Sequence, residues 1–303
     1  MPPPVFTMST LGYNGRFANQ LFQYAFLRLC AARRGAKVQT FPWAGQNIFG
    51  FRDPLVDAVA PVVIDGESVS DPDFYLNRED PIGDLVEFRG FFQYPTRHYR
   101  PHREAFRRLF VLQPELKRLF GEVVDRLRAG GRPVIGIHLR RGDYGHAQFF
   151  RAPAAWYSAW LRSREWACDP VVYIASECPG LLAGHFPGRR IFHAGMLPNL
   201  SPALAFILDF YVLTQADELA ISNSSFSFIA AMLNERADAF VRPTLEDRLL
   251  APFDPWDSEV VLQRRLANGE QAALDALDSV PAQIPTSGSP EAKPAESSAL
   301  AAT

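Results

Sequence analysis

Apolar and polar positions alternate between two periods along this chain. Val5 to Thr10 is a short β-branched and apolar run, followed by a polar turn with Gly12 and Gly15. From Gln20 to Arg34 the apolar residues Leu21, Phe22, Ala25, Phe26 and Leu29 recur at helical spacing, with Gly35 placed to end the helix. Ala36 to Phe41 reads as the next strand. Strand, turn, helix, strand is a βαβ opening and implies a right-handed parallel unit. Pro42 to Asp84 is rich in Pro, Asp and Gly and reads as loops, with one or two short strands around Val62. The aromatic GFFQYPTRHY (Gly90 to Tyr99) would end a strand at a cleft, or simply pack. Glu104 to Phe110 and Pro114 to Leu127 have helical spacing, and Gly130-Gly131 closes the second.

The same alternation then resumes. Val134 to Leu139 is a near-continuous apolar run, as in a strand covered on both faces. Helix Ala154 to Arg164 and strand Val171 to Ala175 follow, then strand Arg190 to His193 and a helix from about Pro202 to Gln215. Strand Leu219 to Ser222 leads through Asn223 and Ser224 into helix Phe226 to Asn234. Strand Ala239 to Val241 and a final helix, Ser258 to Leu277, complete the pattern. The expected division is an N-terminal α/β domain at 1–130 and a C-terminal one at 131–279. Residues 280–303, rich in Pro, Ala and Ser, are expected to be a disordered tail.

Composition narrows the class. The chain has 303 residues, 48% of them hydrophobic, which suffices for a large core or two ordinary ones. A net charge of −2 gives no support for bulk nucleic-acid binding, so any anion site must be local. Cys30, Cys168 and Cys178 are odd in number and scattered, which argues against a disulfide framework. The start, MPPPVFTMST, has neither a basic nor an apolar leader region. No run reaches the ~18 apolar residues of a membrane span. These features predict a soluble, cytoplasmic protein, with peripheral association at the inner membrane face left open.

The chemistry concentrates in two places. In HLRRGDY (His138 to Tyr144), a core strand runs straight into His138, Arg140, Arg141, Gly142 and Asp143. In open α/β sheets the carboxyl ends of strands are where ligands bind. An arginine fork suits phosphate oxygens, and Gly142 would let backbone approach closely. The plainer alternative is a strand end whose charges pair with nearby carboxylates. In ISNSSFS (Ile221 to Ser227), Ser224, Ser225, Phe226 and Ser227 stand between a strand and a helix. Hydroxyls and free amides there can cap the helix or hold an anion. Because both stretches fall in the same half, they are read as facing one diphosphate.

Other signals are weaker. Asp71-Pro72-Asp73 resembles a metal pair but lies in a turn-rich loop and reads as a turn. His98, His102, His138, His146, His185 and His193 show no zinc spacing. Arg141-Gly142-Asp143 spells an adhesion tripeptide, but no export signal accompanies it. Neither a Gly-x-Gly-x-x-Gly fingerprint nor a Walker loop is present.

Together GRFANQLFQYAF (Gly15 to Phe26), HLRRGDY and ISNSSFSF (Ile221 to Phe228), with GFFQY (Gly90 to Tyr94), resemble the family 11 glycosyltransferases, the α-1,2-fucosyltransferases. The likeness spans about the first 240 residues. It implies an α/β, GT-B-type fold with two Rossmann-like domains facing a cleft. It also implies inverting transfer of L-fucose from GDP-β-L-fucose to a glycan hydroxyl, with no metal and no further cofactor. The acceptor would be a glycan, whether polysaccharide or lipid-linked. By the same resemblance Arg140 would bind the diphosphate, His138 would support it and Asp143 would shape the donor loop. Arg141 and Gly142 belong to that loop. Ser224, Ser225, Phe226 and Ser227 would meet the nucleotide, and Arg16, Asn19 and Gln20 would reach the cleft from the first half. Two departures bear on linkage and acceptor: Ala18 where the family usually has Gly, and Phe228-Ile229 where it has Trp-Trp. The readings kept beside this one are another GDP-sugar, a protein hydroxyl as acceptor, and a sugar-nucleotide-binding protein without turnover. The general base is not identified by any motif.

Overall fold

A computed structural model describes residues 2–198 and 200–278; the tail expected at 280–303 lies outside them. The first half carries β1 (Val5–Met8), α1 (Phe17–Arg34), β2 (Lys37–Thr40), α2 (Ala44–Phe49), β3 (Val62–Asp65), α3 (Pro72–Asn77), β4 (Leu85–Arg89), α4 (Arg103–Leu109) and α5 (Pro114–Leu127). Its four strands form one parallel sheet in the order β2-β1-β4-β3. The second half carries β5 (Val134–His138), α6 (Ala154–Arg162), β6 (Val171–Ala175), α7 (Pro179–Leu182), β7 (Arg190–Phe192), α8 (Pro202–Gln215), β8 (Glu218–Ala220), α9 (Ser225–Leu233), β9 (Ala239–Thr244), β10 (Leu249–Pro252) and α10 (Glu270–Asp278). Its six-stranded sheet runs β10-β9-β8-β5-β6-β7, parallel except for the antiparallel edge strand β10.

The apolar runs explain the arrangement. Every residue of β5 and β6 is buried, because helices cover both faces of a parallel sheet. On α1, Leu21, Phe22, Ala25 and Phe26 are fully buried, the stripe that the sequence spacing requires. Phe22 and Phe106 of α4 meet edge to face at 6.2 Å, and Phe106 meets Trp256 at 5.6 Å. Trp256 belongs to a strap, residues 253–263, that returns from the second sheet to the first half. There Thr96 N donates to Ser258 O at 2.9 Å and Ser258 N donates to Thr96 Oγ1 at 3.0 Å.

This strap corrects one sequence expectation. Ser258 to Leu277 is not one helix; only Glu270–Asp278 is helical. The backbone from Ser258 to Leu262 bonds instead to Thr96, Asn223 and Arg242, so tertiary partners displace the helical ones. In the loop-rich region the structure adds α2 and α3, and it places β4 just before the aromatic stretch. Asp71 accepts from Phe74 N and caps α3, while Asp73 pairs with His98 at 3.0 Å, so neither is a metal pair.

Candidate active site

The carboxyl ends of both sheets open onto a single cleft of about 1270 Å³. Gly15 to Asn19 follow β1, Gly66 and Glu67 follow β3, and Phe91 to Tyr94 follow β4. Facing them, Arg140, Asp143 and Tyr144 follow β5, Ser176 and Glu177 follow β6, and Ser224 to Phe226 follow β8. This is where an α/β sheet presents ligand-binding groups.

His138 is the last residue of β5 and is 4% exposed. Its Nδ1 lies 2.8 Å from Ser222 Oγ, and its ring sits 5.2 Å from that of Phe226. Burial, with the nearby Arg140 charge adding to it, pushes the imidazole down to about 3. His138 is therefore neutral at ordinary pH and acts through hydrogen bonding and packing. Arg140 enters the cleft with its guanidinium held by Asp143 at 2.6 Å and by Glu177 in a second, short ion pair. Its guanidinium also lies 5.4 Å from the centre of the Tyr144 ring. Burial opposes ionisation of Asp143, but the hydrogen bond and charge of Arg140 outweigh it and hold the carboxyl below its usual range. Across the mouth, Arg16 reaches from the first half to Asp143 at 3.3 Å.

Asn19 joins the two walls. Its Oδ1 accepts from Gln93 Nε2 at 3.0 Å and from Ser225 Oγ at 2.8 Å, so three separated motifs meet on one atom. Gly15, at φ 78°, lets the preceding loop turn above Asn19; a Cβ there would collide with the Asn19 side chain. Ser224 caps α9 by accepting from Phe226 N at 3.4 Å, which leaves the helix start facing the cleft beside Arg140.

Not every residue anticipated from the sequence reaches the cleft. Arg141 turns behind it, donating to Ala152 O at 2.7 Å and to Asp278 at 2.9 Å. Gly142 does not line it either; its role is to admit Glu177, which a Cβ would meet at 3.3 Å. Gln20 is buried and donates to Gly15 O at 3.1 Å, supporting the turn from below. Ser227 is buried and donates back to Ser224 O. Arg16, Asn19, His138, Arg140, Asp143, Ser224, Ser225 and Phe226 are brought together.

One cleft residue lies outside every motif and another acts from behind the wall. Asp209, on α8, accepts from Tyr173 OH at 2.7 Å, and burial raises its carboxyl to about 7 despite that hydrogen bond. An acidic residue in an otherwise apolar helix was the signal available for it. Asn223 is fully buried: its Nδ2 donates to Gln148 O and Leu262 O, while its Oδ1 accepts from Leu262 N and Arg242. It thereby hangs two stretches of cleft wall, around Gln148 and Gln263, on one side chain.

The chain is similar to galactoside α-(1,2)-fucosyltransferases. It is 27% identical to galactoside alpha-(1,2)-fucosyltransferase 1 of Oryctolagus cuniculus over 250 residues, which is 74% of this chain and 63% of the relative. The enzyme of that name from Rattus norvegicus is 28% identical over 257 residues, with the same coverage of 74% and 63%. The chain thus spans somewhat less than two thirds of the length of these relatives. No family model matches it. Among solved structures, NodZ alpha-1,6-fucosyltransferase soaked with GDP-fucose superposes at a TM-score of 0.55 with 13% identity, covering 84% of this chain and 99% of that one. A FUT1 mutant of Arabidopsis thaliana in complex with GDP gives 0.55 and 10%, covering 84% and 75%. The α/β, GT-B-type fold is shared with these fucosyltransferases, and the sequence resemblance to α-1,2-fucosyltransferases holds.

Proposed function

We propose that this protein transfers L-fucose from GDP-β-L-fucose to a hydroxyl of a galactoside-containing glycan, forming an α-1,2 linkage with inversion. One observation carries the reading: Arg140 and the capped start of α9 converge on the same wall of a cleft that a nucleotide sugar would fill. As the fucosyl bond breaks, negative charge grows on the GDP β-phosphate. The Arg140 fork and the α9 amides stabilise that charge in the role a metal ion would otherwise take. Neutral His138 packs Phe226 against the nucleotide side without adding charge. Asp209 lines the cleft and pairs with no cation among the described residues, so it presents an acceptor to the adjacent N–H donors of guanine, which adenine and uracil lack in that pattern. The names of the relatives support fucose and the α-1,2 linkage. The acceptor carried over from the sequence resemblance is a glycan, whether polysaccharide or lipid-linked. A lipid-linked acceptor would bring the protein to the cytoplasmic membrane face.

The test is transfer itself. Purified protein with GDP-fucose and a β-galactoside acceptor, in excess EDTA, is expected to release GDP and yield a product whose linkage NMR assigns as α-1,2. Activity strictly dependent on Mg²⁺ or Mn²⁺ would reject the charge role given to Arg140. Tight GDP binding with neither transfer nor hydrolysis would identify a non-catalytic binder instead.

A further inference from the structure

Resting on that reading, we infer that Glu67 takes the proton from the acceptor hydroxyl and that the ring of Phe91 is the platform on which the acceptor sugar stacks. The carboxylates lining the cleft are Glu67, Asp143, Glu177 and Asp209. Asp143 and Glu177 are both ion-paired to Arg140, and Asp209 is half-buried and takes the Tyr173 hydroxyl. Glu67 stands apart from them. It lies on the opposite wall, after β3, and among the described residues its carboxylate has neither an ion pair nor a hydrogen bond. An exposed carboxylate without a cation is the one able to accept a proton from an incoming hydroxyl.

The wall around it is built to hold position. Glu67 sits in a 3-10 turn, Gly66–Ser68, which Asp65 caps by accepting from Glu67 N at 3.0 Å. Tyr94 OH donates to Gly66 O at 2.8 Å, and Gly90 lies so close that a Cβ on it would meet Gly66 at 3.0 Å. Phe92, next along, has a left-handed backbone at φ 53°, rare for a bulky residue. It is fixed there by stacking on Phe26 at 4.4 Å and by Tyr99 OH, which donates to its carbonyl. This kink turns the Phe91 ring outward. Phe91 is 36% exposed, lines the cleft and has no aromatic partner among the described residues. Strain kept at a cleft rim points to use, and an outward aromatic face suits the C–H face of a pyranose.

The step balances. The acceptor O–H bond breaks and its proton passes to the Glu67 carboxylate, while the acceptor oxygen forms a bond to C1 of fucose. The C1–O bond to the β-phosphate breaks, and its electron pair leaves with GDP on the opposite wall. A base on the acceptor side and cations on the leaving-group side are what an in-line displacement requires.

Glu67→Gln keeps shape and, being exposed, should fold, which thermal melting checks. It is expected to lower kcat for fucosyl transfer by about 100-fold or more, with the acceptor KM within about threefold and the Kd for GDP unchanged. Glu67→Asp should recover part of that loss. Phe91→Ala should raise the acceptor KM by about tenfold with GDP affinity unchanged, and Phe91→Tyr should restore it. A Glu67→Gln enzyme with kcat near wild type overturns the proton role, and an unaltered acceptor KM in Phe91→Ala overturns the platform. Wild-type protein that does not transfer at all would instead reject the donor reading on which both rest.

Discussion

Arg140 and Arg141 are neighbours in the chain, yet one enters the cleft and the other is bonded to Ala152 O and Asp278 behind it. Their conservative replacements should therefore fail differently. Arg140→Lys keeps the charge but loses the planar fork, and turnover should drop on the order of 100-fold, measured as kcat with GDP-fucose saturating. Arg141→Lys should leave turnover close to normal while lowering stability by roughly 1–2 kcal/mol, read from denaturant unfolding. His138 makes a separate pH prediction. Its folded-state value, about 3, lies below the 6.5 of an unfolded histidine, so between those values the unfolded chain binds more protons. Stability should fall as pH drops from 6.5 toward 3, and His138→Gln should flatten that slope. The motif HLRRGDY exposed Arg140 and His138 in the sequence because strand period and residue chemistry coincide there. The neutrality of His138 was not legible, since it depends on burial by Phe226 and the surrounding strands.

Among elements, the segment after β10 shows most clearly how tertiary bonds override local pattern. Residues 258–269 carry apolar spacing fit for a helix, but Asn223 accepts from Leu262 N at 2.8 Å and the backbone leaves the helical path. Sequence spacing holds no record of a partner some 39 positions away. Strands β5, β6 and β8, by contrast, were legible because each is a short buried run bounded by turns, whereas the mostly exposed edge strand β10 was not anticipated. Replacing Asn223 by Ala removes its bonds to Gln148, Leu262 and Arg242 together and leaves the buried Arg242 guanidinium with Glu259 O as its remaining acceptor. A loss of roughly 3 kcal/mol is expected. Since the walls near Gln148 and Gln263 hang on it, the KM for both substrates should rise as well, which steady-state kinetics on the folded variant would show.

At the scale of the molecule, the two sheets are tied by side chains and by the returning strap, not by strand pairing. Arg107 donates to Met232 O and Asn234 O, and Asn19 binds Ser225 in the cleft, so the two halves are stitched together by side chains. Gly130-Gly131 lies between α5 and β5, as its turn chemistry suggests, whereas nothing local marks 253–263 as returning to the first half. α10 closes the far side: Asp278 accepts from Ala154 N at 2.6 Å and pairs with Arg141, and Asp275 pairs with Arg151. A chain ended at residue 280 should keep its melting temperature and turnover, whereas one ended at Gly269 should lose several degrees. Both are read by thermal melting and GDP release.

The pairing of Arg140 has an ionic consequence. Arg16 and Arg140 stand against Asp143 and Glu177, so the mouth around Arg140 is locally neutral and is no general trap for anions. A lone phosphate would have to break an ion pair to gain another, a poor exchange. Only a ligand anchored elsewhere in the cleft, by its base and sugar, can afford to displace a carboxylate. Donor entry is then an ion exchange inside the protein, with few mobile counter-ions released to solvent. Millimolar sulfate or orthophosphate should scarcely inhibit, and donor affinity should vary only weakly with salt.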